Sequence, residues 1–134
     1  MAVIRELRRA VSSSEDIVGV RKLCREWAVA SGFSLVDQTK MVTAASELAR
    51  NLVLYGGGGT VHFEALNDGM KRGLRLVFED DGPGIEDIER AMRDGFTSGS
   101  GLGLGLGGAR RLVNEFDIQS KRGAGTRVAI TRWK

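Results

Sequence analysis

The stretch 97–112, TSGSGLGLGLGGARRL, decides how the rest of the chain is read. Gly99, Gly101, Gly103, Gly105, Gly107 and Gly108 fall inside it, and a helical pattern then begins. Ala109, Leu112, Val113 and Phe116 share one side of that pattern, with Arg110, Arg111, Asn114 and Glu115 on the other, so the helix is predicted to run to about Phe116. Glycine lacks a Cβ, so its backbone N–H groups can approach a ligand closely and take φ angles that other residues avoid. Where such a run opens a helix, unpaired N–H groups and the positive end of the helix dipole face the same way, and the natural guest is a phosphate. A flexible linker would share the glycines. It would not need Leu102, Leu104 and Leu106 between them, nor lead straight into an amphipathic helix.

Upstream, a strand over 73–79 runs into Asp80-Asp81-Gly82-Pro83-Gly84-Ile85. Alternation puts Leu74, Leu76, Phe78 and Asp80 on one face, and Arg75, Val77, Glu79 and Asp81 on the other. Asp80 thus ends the core-facing row. A carboxylate there needs a donor partner, or its desolvation costs several kcal/mol. Gly82 and Gly84 leave room for something flat, and the exocyclic amine of a purine would meet both demands. A short helix with Ile85, Ile88 and Met92 on one side follows, stopped by Gly95. Before the strand, Val61, Phe63 and Ala65 alternate with His62 and Glu64, and Asn67-Asp68-Gly69 supplies the hairpin turn.

Two helices precede the hairpin. Ser12, Ser13 and Ser14 with Glu15 and Asp16 form a helix start, Ile17, Val20, Leu23, Cys24 and Trp27 form its stripe, and Gly32 stops it. The second helix starts near Val36 and Asp37 and ends at the glycine cluster 56–59. Met41, Ala45, Leu48, Leu52 and Tyr55 give its buried stripe, while Thr43, Glu47 and Asn51, each four residues apart, stack on another face. Residues 2–11 are read as a short strand. The chain ends with strands over 117–120 and 126–133 around a turn at 121–125.

With 134 residues, 42% hydrophobic and 28% charged, the whole of 1–134 is expected to be one domain with a real core. Cys24 is the one cysteine, so there is no internal disulfide and no thiolate metal cage; beside Leu23 and Trp27 it reads as a buried, inert thiol. His62, the one histidine, has no companion ligands along the sequence and is assigned no chemical role. The net charge of +3 is spread and not interleaved with aromatics, which points to solvated faces, an acidic protein partner or nucleotide phosphates rather than nucleic acid. No apolar run reaches membrane-spanning length, and a cytoplasmic location without membrane association is expected.

Three separated blocks then line up with one family. Glu47-Leu48-Ala49-Arg50-Asn51 resembles the ExxxN box of the GHKL superfamily, which includes histidine kinases, gyrase B and Hsp90; Asp80-x-Gly82-x-Gly84 resembles its DxGxG box; and Gly101-x-Gly103-x-Gly105 resembles its second glycine box. Gly123-Ala124-Gly125-Thr126 resembles the GxGT element that closes the nucleotide pocket. Within the superfamily the chain is most similar to the small serine/threonine kinases of bacterial partner-switching pathways, the stressosome switch kinases. Between Ile85 and Gly101 there are only fifteen residues, too few for a long ATPase lid.

The resemblance implies an α/β fold, a two-layer sandwich with helices on one face of a mixed, mostly antiparallel sheet (the Bergerat fold), binding ATP and Mg²⁺. By matched position, Asn51 would hold the Mg²⁺, and Glu47 would act as general base for the incoming hydroxyl or position it. Asp80 would accept from the adenine amine with Thr126 near the same edge. Gly82, Gly84 and Ile85 would line the base, and Gly101, Leu102, Gly103, Leu104 and Gly105 would cradle phosphates. Arg50 and Arg110 are the candidates for the γ-phosphate. The implied partners are a STAS-domain antagonist protein as substrate and a PP2C-type phosphatase that the released kinase activates, in a stress-response or sigma-factor pathway. Two alternatives stand beside this: an anti-sigma factor kinase of the same fold that binds a sigma factor directly, and a non-catalytic adaptor with a merely structural nucleotide pocket.

Overall fold

The first helix begins where the serines and acids predict. In the computed structural model, which describes residues 1–93 and 105–134, Ser13 Oγ accepts from the Asp16 amide at 3.3 Å. The Asp16 carboxylate accepts in return from the amides of Ser12 at 2.9 Å and Ser13 at 3.2 Å. This reciprocal cap starts α1 (Ser14–Ala30), which ends at Ser31. Ser34 caps α2 (Leu35–Leu54), its Oγ accepting from the Asp37 amide at 3.2 Å.

Both helices lie on one face of a five-stranded sheet built from β1 (Ala2–Val11), β2 (Gly59–Asn67), β3 (Arg72–Asp80), β4 (Glu115–Ser120) and β5 (Thr126–Trp133), in the order β1-β2-β3-β5-β4. The two-layer sandwich is as expected. Its sheet, expected to be mixed, pairs antiparallel at every junction among the described strands. Alternation decides which side chains enter the core: Val61, Phe63, Leu74, Leu76, Phe78, Val128 and Ile130 are buried against Met41, Ala45, Leu48 and Leu52 of α2. Trp27 of α1 packs on Phe63 with ring centroids 5.6 Å apart and tilted by 48°. Cys24 is buried in the same core, which pushes its thiol up to about 12, so it is inert as read.

The two short helices are α3 (Ile88–Ala91), capped by Asp87, and α4 (Leu106–Arg111). Ile85 stands in the loop before α3 rather than on the helix, and the predicted stop at Gly95 lies outside the described residues. The helix expected to reach Phe116 ends at Arg111, and β4 starts two residues earlier than read. Phe116 and Ile118 also alternate as a strand does, and pairing with Ile130 and Val128 puts both on the core side. The Asn114 amide donates to Thr131 O at 2.9 Å, so the ladder with β5 takes over immediately after the helix.

Two ion pairs tie elements together, one between a helix and the sheet and one between neighbouring strands. Arg132 of β5 donates to Asp37 Oδ1 at 2.6 Å, fixing the first turn of α2 to the sheet. On the other sheet face Arg75 grips Glu64 with bonds of 2.9 and 3.1 Å. The arginines hold both carboxyls below their ordinary values, chiefly through these hydrogen bonds. A depressed folded pKa adds stability that is complete above the unfolded value of about 4 and lost as pH falls through the folded value. The urea midpoint is therefore expected to drop between pH 5 and pH 3. Glu64→Gln should lose about 1–2 kcal/mol at pH 7 and flatten that slope; an unchanged slope in the variant would show that the pair does not contribute.

Candidate nucleotide-binding site

The site is built around the end of β3. Asp80 ends the row Leu74, Leu76, Phe78, as alternation required, and its Oδ1 accepts from the Gly82 amide at 2.9 Å. Burial raises its pKa, opposed by hydrogen bonds from the Gly82 and Thr126 backbones and reinforced by the neighbouring Asp81 charge. The net shift is upward: this carboxylate lacks the compensation that a further donor would bring.

Close backbone approach holds it in place. A Cβ at Gly56, just past α2, would lie 2.6 Å from Asp80 Cγ and 2.7 Å from Oδ2. A Cβ at Gly82 would lie 2.9 Å from Gly56 Cα and 3.0 Å from Asp80 Oδ1. The absent side chain of Gly82 therefore makes room for Gly56 and Asp80, and Gly82 is not among the residues that line the neighbouring cavity. Gly84 does line it, with φ of 75°, and a Cβ there would stand 2.1 Å from Lys121 O. Only glycine fits such a position. The loop is further pinned to the β4–β5 turn by Gly123 N donating to Pro83 O at 2.7 Å and by Ile85 N donating to Ser120 Oγ at 2.7 Å.

The cavity measures about 1210 Å³, and its lining includes Asn51, Tyr55, Phe78, Asp80, Ile85 and Thr126. That volume takes a ligand of nucleotide size. Of the residues expected at the site, Asn51, Asp80, Gly84, Ile85 and Thr126 are brought together here. Register explains part of it, since Asp80 pairs with Thr126 directly across β3 and β5. Glu47, one turn before Asn51 on α2, is half-buried and not among the lining residues; its carboxylate stands against Gly105, where a Cβ would come within 2.5 Å of Oε2. Gly105 is the N-cap of α4 with φ of 63°. Gly101, Leu102, Gly103 and Leu104 lie outside the described residues.

Sequence reasoning missed several neighbours. Gly56 looked like a helix stop and Ser120 like the end of a strand, and each acts on a residue far along the chain, Asp80 and Ile85. Arg50 and Arg110 are exposed and neither lines the cavity, whereas Arg90 does. His62 is not without companions: β1 brings Glu6 and β2 brings Glu64, with ligand atoms all within 4.8 Å. Both oxygens of Glu64 are already engaged by Arg75. No described helix is long and apolar enough to cross a membrane.

A layer of helices over an antiparallel sheet, with a nucleotide-sized cavity walled in part by Gly56, Asp80 and Gly84, defines an ATPase-type nucleotide-binding domain. The family model described as histidine kinase-, DNA gyrase B- and HSP90-like ATPase matches residues 36–134, and the chain belongs to that family. It is 48% identical over 118 residues to the serine/threonine-protein kinase RsbT of Bacillus subtilis (strain 168), covering 88% of this chain and 89% of that one. It is also 27% identical over 129 residues to the anti-sigma F factor of Thermoanaerobacter sp. (strain X514), covering 92% and 89%. Among solved structures, the RsbU and RsbW domains of Rv1364c from Mycobacterium tuberculosis share the fold, with a TM-score of 0.66 at 24% identity over 97% of this chain and 33% of that one.

Proposed function

We propose that this chain is a protein-serine/threonine kinase that transfers the γ-phosphoryl group of ATP to a STAS-domain antagonist protein, and that, released from that antagonist, it activates a PP2C-type phosphatase as a partner-switching regulator in the cytoplasm. The observation that carries the reading is that Asn51 and Asp80 line one cavity in a chain 48% identical to a serine/threonine kinase. Asp80 would accept from the adenine amine, supplying the donor its raised pKa calls for. Thr126 and Ile85 would border the base, and the glycines from Gly101 to Gly105 would face the phosphates.

Asn51, which lines the cavity, would hold a Mg²⁺ through its amide oxygen, a hard donor. The ion, when bound, would neutralise phosphate charge. Glu47, one turn away on the same helix face with its carboxylate against Gly105, would take the proton of an incoming hydroxyl or orient it. Phosphoryl transfer depends mainly on positioning and charge neutralisation, so this short list suffices.

The test is to incubate the purified chain with γ-labelled ATP, Mg²⁺ and the STAS-domain protein of its own source. Label on a serine or threonine of that protein is expected. No transfer by folded kinase would overturn the reading. The anti-sigma F factor relatives favour a second one, in which a sigma factor is bound directly. Copurification separates them: STAS protein and phosphatase support the first, a sigma factor the second.

A further inference from the structure

We infer that Ser120 is a positioning residue for base selection: it commits the Thr126 hydroxyl proton, so that the end of the cavity offers only acceptors to a purine edge. The inference rests on the reading above that the purine edge meets Asp80.

Asp80, Thr126 and Ser120 form one row across β3, β5 and β4, since Thr126 pairs with Asp80 on one side and with Ser120 on the other. Ser120 Oγ makes three contacts. It accepts from the Ile85 amide at 2.7 Å, reaches the Gly125 carbonyl at 3.0 Å and meets Thr126 Oγ1 at 2.7 Å. A serine hydroxyl has one proton and two lone pairs. The Gly125 carbonyl can only accept, so that contact takes the serine proton; the Ile85 amide takes one lone pair. The remaining lone pair must then receive the Thr126 proton.

Only this assignment makes all three contacts hydrogen bonds. It leaves Thr126 Oγ1 with lone pairs alone, on the residue paired directly with Asp80, whose carboxylate is also an acceptor. Two acceptors suit an exocyclic amine and reject a carbonyl at the same ring position, because a buried acceptor facing an acceptor stays unpaired. Without the Ser120 oxygen, the Thr126 proton is free to turn toward a carbonyl. The same oxygen holds the loop at Ile85, so Ser120 couples the base-lining loop to the residue that reads the base.

The experiment compares dissociation constants for ATP and inosine triphosphate, which carries a carbonyl where ATP carries the amine. Wild type should prefer ATP. In Ser120→Ala the preference should fall about fivefold, the scale of one neutral hydrogen bond, while Ser120→Thr keeps it. In a Thr126→Val background, adding Ser120→Ala should leave the preference unchanged. Equal weakening of both nucleotides by Ser120→Ala, or no change in their ratio, would overturn the inference and leave the adenine reading standing. A wild type that binds the two equally would sink the adenine reading itself. Ser120→Cys, whose thiol is a poor partner, carries the same comparison if the alanine variant does not fold.

Discussion

Asn51→Ala is expected to reduce phosphoryl transfer at least about a thousandfold, roughly 4 kcal/mol of transition-state stabilisation, with the fold intact. Asn51 is half-buried on the cavity side of α2, between Ala49 and Leu52, which face the core. Removing its amide takes an oxygen from the cavity wall without opening a hole in the core, and alanine is the best helix former. Stability should thus stay within about 1 kcal/mol of wild type. The metal role makes a second, sharper demand. In wild type Mg²⁺ should tighten ATP binding; in Asn51→Ala that dependence should largely vanish while adenine-edge contacts persist. Transfer at the normal rate, or undiminished Mg²⁺ dependence, would remove the metal from Asn51.

What sequence reasoning could reach follows from the range of the interactions involved. Caps are local, so Ser13 and Asp16 announce α1, and Ser34 caps α2 within a residue or two of the predicted start. Alternation is local too, and it placed Asp80 at the end of a buried row without any knowledge of the partner strand. Helical spacing placed Glu47 and Asn51 on one face, yet it could not tell that only Asn51 lines the cavity, because that depends on where α4 and Gly105 come to rest. Phe116 fits a helical and a strand period equally, and only the Ile130 pairing decides between them. Gly56 and Ser120 were illegible for the same reason. Each matters through a residue at least twenty positions away, Asp80 for the first and Ile85 for the second. Glu6 and His62 likewise meet only once β1 pairs with β2.

Asp80→Asn is expected to weaken ATP binding about a hundredfold or more while leaving the protein as stable as wild type or up to about 1 kcal/mol more stable. The two effects run in opposite directions for one physical reason. Burial raises the Asp80 pKa, so the folded state is penalised for carrying this charge at any pH above the unfolded value, and relieved as pH falls and the group is protonated. A neutral amide removes the penalty. Its oxygen can still accept from the Gly82 amide, as Oδ1 does now at 2.9 Å, which leaves the amide nitrogen at the other position, pressed against Gly56. That nitrogen donates where the carboxylate accepted, and under the proposed reading it would face an adenine amine that also donates. Two donors confronting each other in a desolvated pocket lose a charge-assisted hydrogen bond and leave both groups unpaired, which supports a loss of two orders of magnitude. Calorimetric titration with ATP and urea unfolding at pH 7, run on the same preparation, check both signs. Unchanged nucleotide affinity would dissociate Asp80 from the base, and a large loss of stability would mean that its charge is compensated in the fold without any ligand.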